Sequence, residues 1–154
     1  MPDFYYYALL AVTGACLGSF ANVVALRHIA GGDWVRAPSS CFACQRRLRF
    51  SENLPIIGWL RHGGRCGCGD RRLPPRYLGV ELALGALLPL AFWRLGADDF
   101  PAAVPFILLL SIIFLTDLEA FIIPDRASLG GAGLGLVFAA IDTPGLPDLK
   151  KALL

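Results

Sequence analysis

The chain has 154 residues, of which 56% are hydrophobic and 17% are charged, with a formal net charge of +2. Soluble domains are usually about 45–50% apolar. Because the apolar residues form long runs separated by one polar stretch, the sequence excludes a soluble globule and predicts an all-α polytopic membrane protein. The small net charge favours anionic lipid over nucleic acid as the partner of the basic residues.

Four apolar runs predict about four transmembrane helices, at residues 5–26, 77–95, 102–116 and 129–141. The last two runs are short against the roughly 20 residues that a bilayer requires, so their ends are expected to extend into flanking polar residues. The first run has no basic start and continues past any cleavage site, which favours a retained helix over a removed signal peptide.

The basic residues predict the orientation of the chain. Of the 14 Lys and Arg residues, ten are arginines from Arg27 to Arg76. This excess predicts that residues 28–76 form a cytoplasmic loop between a first helix at 1–27 and the helices of 77–154. The N-terminus and the connection at 96–101 then lie outside, and the turn at 118–128 lies on the cytoplasmic side.

Four cysteines in this loop predict a structural zinc site that resembles a zinc ribbon. Cys41 and Cys44 form a Cys-x-x-Cys pair, and Cys66 and Cys68 form a shorter Cys-x-Cys pair. Four thiolates suit a closed tetrahedral zinc shell, and thiols stay reduced in the cytoplasm. His62 is an alternative ligand, and a reduced loop without metal is the competing interpretation.

Asp117 is the main candidate for chemistry because it ends an apolar run, where a carboxylate is costly unless it is functional. Glu119 is two residues away and points to another face of a helix. Asp125 is about 12 Å away along a continuous helix, although a turn at Pro124 could bring it back. Beside Arg126, Asp125 is better interpreted as a solvated turn residue.

Several other residues are predicted to serve packing or to support the site. Asn22 is expected to form a hydrogen bond between helices, and Glu81 is expected to pair with Arg76 or Arg72 or to support the site. The pairs at positions 14 and 18 and at positions 131 and 135 follow the Gly-x-x-x-Gly pattern of helix packing. Cys16 is expected to be a small packing residue, and Asp98 and Asp99 are expected to be loop charges.

Six motifs in order along the chain resemble the type IV prepilin peptidases (leader peptidase and N-methyltransferase). They are GSFANVVALR at 18–27, CFAC at 41–44, NLPIIGWL at 53–60, GRCGCG at 64–69, PRYLGVE at 75–81 and TDLEAFIIPD at 116–125. The resemblance implies a membrane aspartic peptidase of the bacterial inner membrane, with Asp117 as its first catalytic aspartate. It implies cleavage of type IV prepilin or type II pseudopilin leaders at the cytoplasmic face.

The resemblance also implies cofactors and supporting residues. The cysteine loop corresponds to the family's zinc insert, although its second pair is one residue shorter. S-adenosylmethionine would be the donor for methylation of the new N-terminus. Glu81 matches a family glutamate, and Asn22 becomes a candidate in the substrate or methyl-donor site.

The chain departs from the family at the second catalytic aspartate, which the family places in a Gly-x-Gly-Asp motif that this sequence lacks. Asp148 is not a substitute, because it is predicted to follow the fourth helix on the outer side. We therefore expect the chain to hold half of the proteolytic site, as part of a longer enzyme or a truncated reading frame, and to be inactive alone. The alternatives are a non-catalytic membrane scaffold with a zinc-binding interaction loop, or methyl transfer without proteolysis.

Overall fold

The computed structural model describes residues 2–32, 46–47, 50–52, 54–65 and 72–142. This part of the chain contains the helices α1 (Pro2–Ile29), α2 (Ile57–Arg61), α3 (Arg76–Ala120) and α4 (Asp125–Asp142), and a 3-10 helix at Phe50–Glu52. An isolated antiparallel bridge joins Arg65 and Arg72. The predicted predominance of helix is confirmed.

Helix α3 is a helical hairpin that is broken at Gly96. The backbone of Gly96 has φ 77° and ψ −179°, which interrupts the helix in a conformation that favours glycine. The guanidinium of Arg76 forms an ion pair with Glu119, so the two ends of α3 meet. We therefore divide α3 into a first segment at residues 76–95 and a second segment at residues 97–120, which run in opposite directions.

Glycines allow α1 to approach the first segment of α3 closely. A Cβ at Gly14 would overlap the carbonyl oxygen of Leu84, and one at Gly18 would lie 2.9 Å from the Cα of Glu81. A Cβ at Gly135 in α4 would lie 3.3 Å from the ring of Phe106 in the second segment. The packing role predicted for these glycines is confirmed, as expected where helices associate through small residues.

Contacts between the helices define two ends of the bundle. At the end near Gly96, which we call the turn end, the ring centroids of Tyr6 and Phe92 are 4.8 Å apart and those of Phe92 and Phe100 are 5.2 Å apart. At the opposite end, which we call the loop end, α1 and the second segment share a small buried core. Its members are Ala21, Val24, Ala25, Ile112 and Leu115.

Helices α1 and α3 are long and apolar enough to cross a membrane. Only 17% of the most apolar window of α3 is buried inside the chain, and large apolar side chains such as Leu9, Leu110 and Phe114 are more than 60% exposed. An apolar surface of this kind suits a lipid solvent. Each segment of α3 is about 30 Å long or more at 1.5 Å per residue, enough to cross the hydrocarbon core.

Some sequence predictions need correction. Asp98 and Asp99 lie in the first turn of the second segment and not in a loop, because Gly96 alone breaks the helix. Carboxylates are favourable there, since the N-terminus of a helix carries partial positive charge. Cys16, expected to be a small packing residue, is exposed on α1. Helix α1 also extends three residues beyond each end of the apolar run at 5–26.

Candidate functional site

Three polar residues are buried in the described part of the chain, and all three lie toward the loop end. Thr116 is fully buried, Asn22 is 1% exposed and Glu81 is 7% exposed. Asn22 comes from α1, Glu81 from the first segment of α3 and Thr116 from the second. Buried polar groups are stable only when hydrogen-bonded, so their partners indicate what holds this region together.

Glu81 connects α1, α3 and the loop. Its Oε2 accepts a 2.7 Å hydrogen bond from the backbone N–H of Ile56, and the carboxylate also accepts one from the hydroxyl of Ser19. The predicted pairing with Arg76 is wrong, because Arg76 lies against Glu119 at the C-terminal end of α3. The carboxylate therefore joins a backbone amide of the loop to two helices.

The loop reaches Glu81 through a strained turn at Ile56. This residue has φ 62° and ψ −54°, and the N–H of Ile57 donates a 2.5 Å hydrogen bond to the carbonyl of Pro55. These features define a γ-turn of the rare, strained sense, which is unusual for a β-branched residue. Strain of this kind persists only where surrounding contacts hold it, and the bond to Glu81 is one such contact.

Asn22 forms the interhelical hydrogen bond that the sequence predicted. Its Nδ2 donates to the backbone carbonyl of Tyr77, at 3.5 Å, one turn before Glu81 on α3. Its Oδ1 is buried and has no hydrogen-bond partner within the described part of the chain. The Asn22 amide therefore keeps one unused acceptor, which fits a place for an additional donor group.

Asp117 follows Thr116, whose buried hydroxyl forms its hydrogen bonds within its own helix. The hydroxyl of Thr116 donates to the carbonyls of Ile112 at 3.0 Å and Ile113 at 2.9 Å. The next side chain, Asp117, is exposed, as are its neighbours Phe114 and Leu118. Within the part of the chain that the structure describes, no carboxyl group forms a hydrogen bond with Asp117.

The other two candidate acids have different surroundings from Asp117. Glu119 pairs with Arg76, which agrees with the prediction that Asp117 and Glu119 face different directions. Asp125 is exposed and is the first residue of α4. Because Arg76 directly follows the loop and contacts Glu119, the structure places Asp117 at the same end of the bundle as the loop.

The predicted zinc ligands Cys41, Cys44, Cys66 and Cys68 lie outside the described residues. The described residues contain no group of three or more His, Cys, Asp or Glu side chains that could hold a metal ion. The alternative ligand His62 lies with its Nε2 3.9 Å from the Oε1 of Glu52, which also pairs with Arg46 at 2.7 Å. The zinc site remains a prediction from the cysteine spacing.

Ser19 and Ile56 are the site residues that the sequence did not single out. Ile56 takes part through its backbone N–H, which has no side-chain signature. Ser19 lies beside Gly18 on α1, and a serine in an apolar helix is usually satisfied within its own helix or by a neighbouring one. The Gly18–Ser19 pair facing an intramembrane acid is the signal that could have identified Ser19.

Together these features define a helical membrane protein. The carboxyl group of Glu81 and the amide of Asn22 are buried between its helices, and Asp117 is exposed at the loop end. Residues 12–95 match the model of the bacterial peptidase A24 N-terminal domain, and the chain belongs to this family. The match includes Asn22, Glu81 and the cysteine loop, and ends before Asp117.

The chain is also similar to curated proteins named prepilin leader peptidase/N-methyltransferase. The protein of Myxococcus xanthus is 37% identical over 90% of this chain and 43% of its own length. That of Pseudomonas putida is 31% identical over 89% of this chain and 56% of its own. The protein of Klebsiella pneumoniae is 34% identical over 88% of this chain and 62% of its own length. The chain thus spans about half the length of these relatives, and no solved structure matches it.

Proposed function

We propose that this chain provides the first catalytic carboxyl group of a prepilin leader peptidase, an aspartic endopeptidase that acts at the cytoplasmic membrane face. The observation that carries the proposal is the position of Asp117. It is exposed at the loop end of an apolar helical hairpin, in a chain similar to proteins named for this activity.

The proposed chemistry requires two carboxyl groups that share a proton. One takes a proton from the attacking water while the other donates to the oxygen of the scissile carbonyl, and repulsion between close carboxylates keeps one of them protonated. Asp117 provides one of these groups. Its exposure leaves it accessible both to a second carboxyl group and to an extended peptide.

We further propose four transmembrane helices in the inner membrane: α1, the two segments of α3, and α4. The N-terminus then lies outside and the loop of residues 28–76 in the cytoplasm, as the arginine excess indicates. The substrates would be type IV prepilins or type II pseudopilins, whose leaders reach Asp117 from the cytoplasm. Lipid would surround the exposed apolar faces.

The relatives' names also include N-methyltransferase, so we extend the proposal to methylation of the new N-terminus. S-adenosylmethionine would supply the methyl group. Asn22 is the described residue that we assign to this reaction, because its buried Oδ1 at the loop end receives no hydrogen bond from another described residue. There it would orient a donor group of the methyl donor or of the substrate amine.

A chimaera tests the proposed peptidase role. Residues 1–142 of this chain would replace the aligned part of the Pseudomonas putida relative, and leader removal from that organism's prepilin would be followed by mass spectrometry. The chimaera is expected to cleave. A folded chimaera that inserts into membranes but never cleaves would favour the competing role, a membrane scaffold whose loop binds a cytoplasmic partner.

We also propose that Cys41, Cys44, Cys66 and Cys68 bind one structural zinc ion, with His62 as the alternative to one thiolate. The support is the donor set, since four thiolates suit a closed tetrahedral zinc site. Protein purified without chelator is expected to contain about one zinc per chain, and replacing Cys44 and Cys68 with serine should remove it. Cys16→Ser is the matched control, because Cys16 is exposed on α1. Equal zinc content in all three proteins would contradict the assignment.

A further inference from the structure

We propose that a basic pocket between α2 and the start of α3 binds the phosphate of an anionic phospholipid headgroup. The pocket has a volume of about 390 Å³, and its lining includes Trp59, Arg65, Arg72 and Pro75. This volume is within the range of pockets that hold small ligands. The inference does not depend on peptidase activity.

Two arginines face the same side of this pocket. Arg65 and Arg72 form an antiparallel bridge, and the N–H of Leu73 donates a 2.7 Å hydrogen bond to the carbonyl of Gly64 next to it. Residues directly opposite each other across such a bridge place their side chains on one face, about 5 Å apart. Like charges there repel each other, and an anion between them removes that repulsion.

The pair has no counterion in the described structure. Neither Arg65 nor Arg72 forms an ion pair with a described carboxylate, and both side chains are exposed. Arg46 and Arg76, in contrast, pair with Glu52 and Glu119. Guanidinium groups bind phosphate oxygens in a forked geometry, so two of them side by side favour a phosphate ligand.

Trp59 adds a rigid wall to the pocket. Its indole Nε1 is buried and has no hydrogen-bond partner among the described residues. The indole ring packs so closely against Gly64 that a Cβ there would lie 2.6 Å from the Cζ2 of Trp59, and Gly64 has a positive φ of 69°. The ring therefore forms a fixed wall of the pocket.

The position of the pocket favours a lipid over a soluble anion. Pro75 directly precedes Arg76, where the apolar helix α3 begins, so the pocket lies at the membrane surface. Beside Trp59, the side chains of Ile57 and Leu60 are 57% and 59% exposed and can contact acyl chains. Tryptophan and arginine are typical of this interface, where anionic headgroups attract basic residues.

Native mass spectrometry of the full chain in detergent tests the proposal, with phosphatidylglycerol, phosphatidylcholine and soluble glycerol 3-phosphate as probes. Phosphatidylglycerol should bind at least about tenfold more tightly than the other two. The double variant Arg65→Gln/Arg72→Gln should lose about tenfold or more of this affinity, and Trp59→Phe should lose a smaller part. Arg94→Gln is the control, because Arg94 stacks on Trp93 toward the turn end.

The double variant Arg65→Lys/Arg72→Lys separates charge from folding, because it should fold like the parent protein and retain part of the affinity. Unchanged phosphatidylglycerol binding in a glutamine double variant with parental helix content would overturn the site. Equal binding of phosphatidylcholine would overturn the requirement for an anionic lipid. Equal binding of glycerol 3-phosphate would overturn the lipid as the source of the phosphate.

Discussion

Replacing Asp117 with asparagine is expected to abolish leader cleavage by the chimaera that carries this chain. The amide keeps the size of the side chain but cannot exchange a proton with water or with a second carboxyl group. Removing one member of a cooperating catalytic unit typically lowers kcat by on the order of 10⁴-fold or more. Cleavage of prepilin, followed by mass spectrometry of the released leader, should therefore fall to background.

Two neighbouring acids provide matched controls for this prediction. Glu119→Gln removes the ion pair with Arg76, and the expected effect is small because both side chains are partly exposed. Asp125→Asn should retain cleavage, since Asp125 is exposed at the start of α4. Full activity of Asp117→Asn would disprove the assignment. Equal losses in Asp117→Asn and Asp125→Asn would instead make Asp125 the partner in a dyad.

The sequence was sufficient to predict the features that depend on apolar runs and on the spacing of small residues. The apolar runs predicted the membrane-type helices α1 and α3, because a helix that crosses lipid must satisfy its own backbone and present apolar side chains. Glycine spacing predicted the close contact of α1 with the first segment. The order of the apolar runs also predicted that the chain returns to the loop end after the second segment of α3. Asp117 was therefore expected at that end.

The sequence was insufficient where backbone atoms or competing partners decide the structure. Arg76 could have paired with Glu81 or Glu119, and only the folded hairpin shows that its partner is Glu119. Gly96 breaks α3 alone, although three prolines at positions 89, 101 and 105 are accommodated inside it. The N–H of Ile56 cannot be recognised from residue type, because its direction depends on a strained turn.

The substitution Glu81→Leu is expected to release the loop from the helices, because Glu81 accepts the hydrogen bond from the N–H of Ile56. Leucine fills a similar volume but leaves the N–H of Ile56 and the hydroxyl of Ser19 without their acceptor. An unsatisfied buried donor costs about 1–3 kcal/mol, and the strained turn at Ile56 then loses a contact that holds it.

Hydrogen exchange in reconstituted protein would measure this release. Backbone amides of residues 54–60 should exchange about tenfold faster or more in Glu81→Leu, because 1.4 kcal/mol corresponds to a factor of ten in an equilibrium constant. Trypsin should also cut faster after Arg61, which is exposed in the loop. Amides in the middle of α1 should be unaffected if the change is confined to the loop.

Two variants separate the hydrogen bond from general packing. Glu81→Gln keeps a carbonyl oxygen that can accept from Ile56, so exchange in the loop should be close to that of the parent protein. Leu82→Ala changes the next residue of α3, which is half exposed, and it should leave the loop unchanged. If Glu81→Leu and Leu82→Ala gave the same exchange at Ile56, the carboxylate would not hold the loop. If the loop amides exchanged as fast in Glu81→Gln as in Glu81→Leu, a hydrogen-bond acceptor alone would not be enough. The strained turn would then require the negative charge of Glu81.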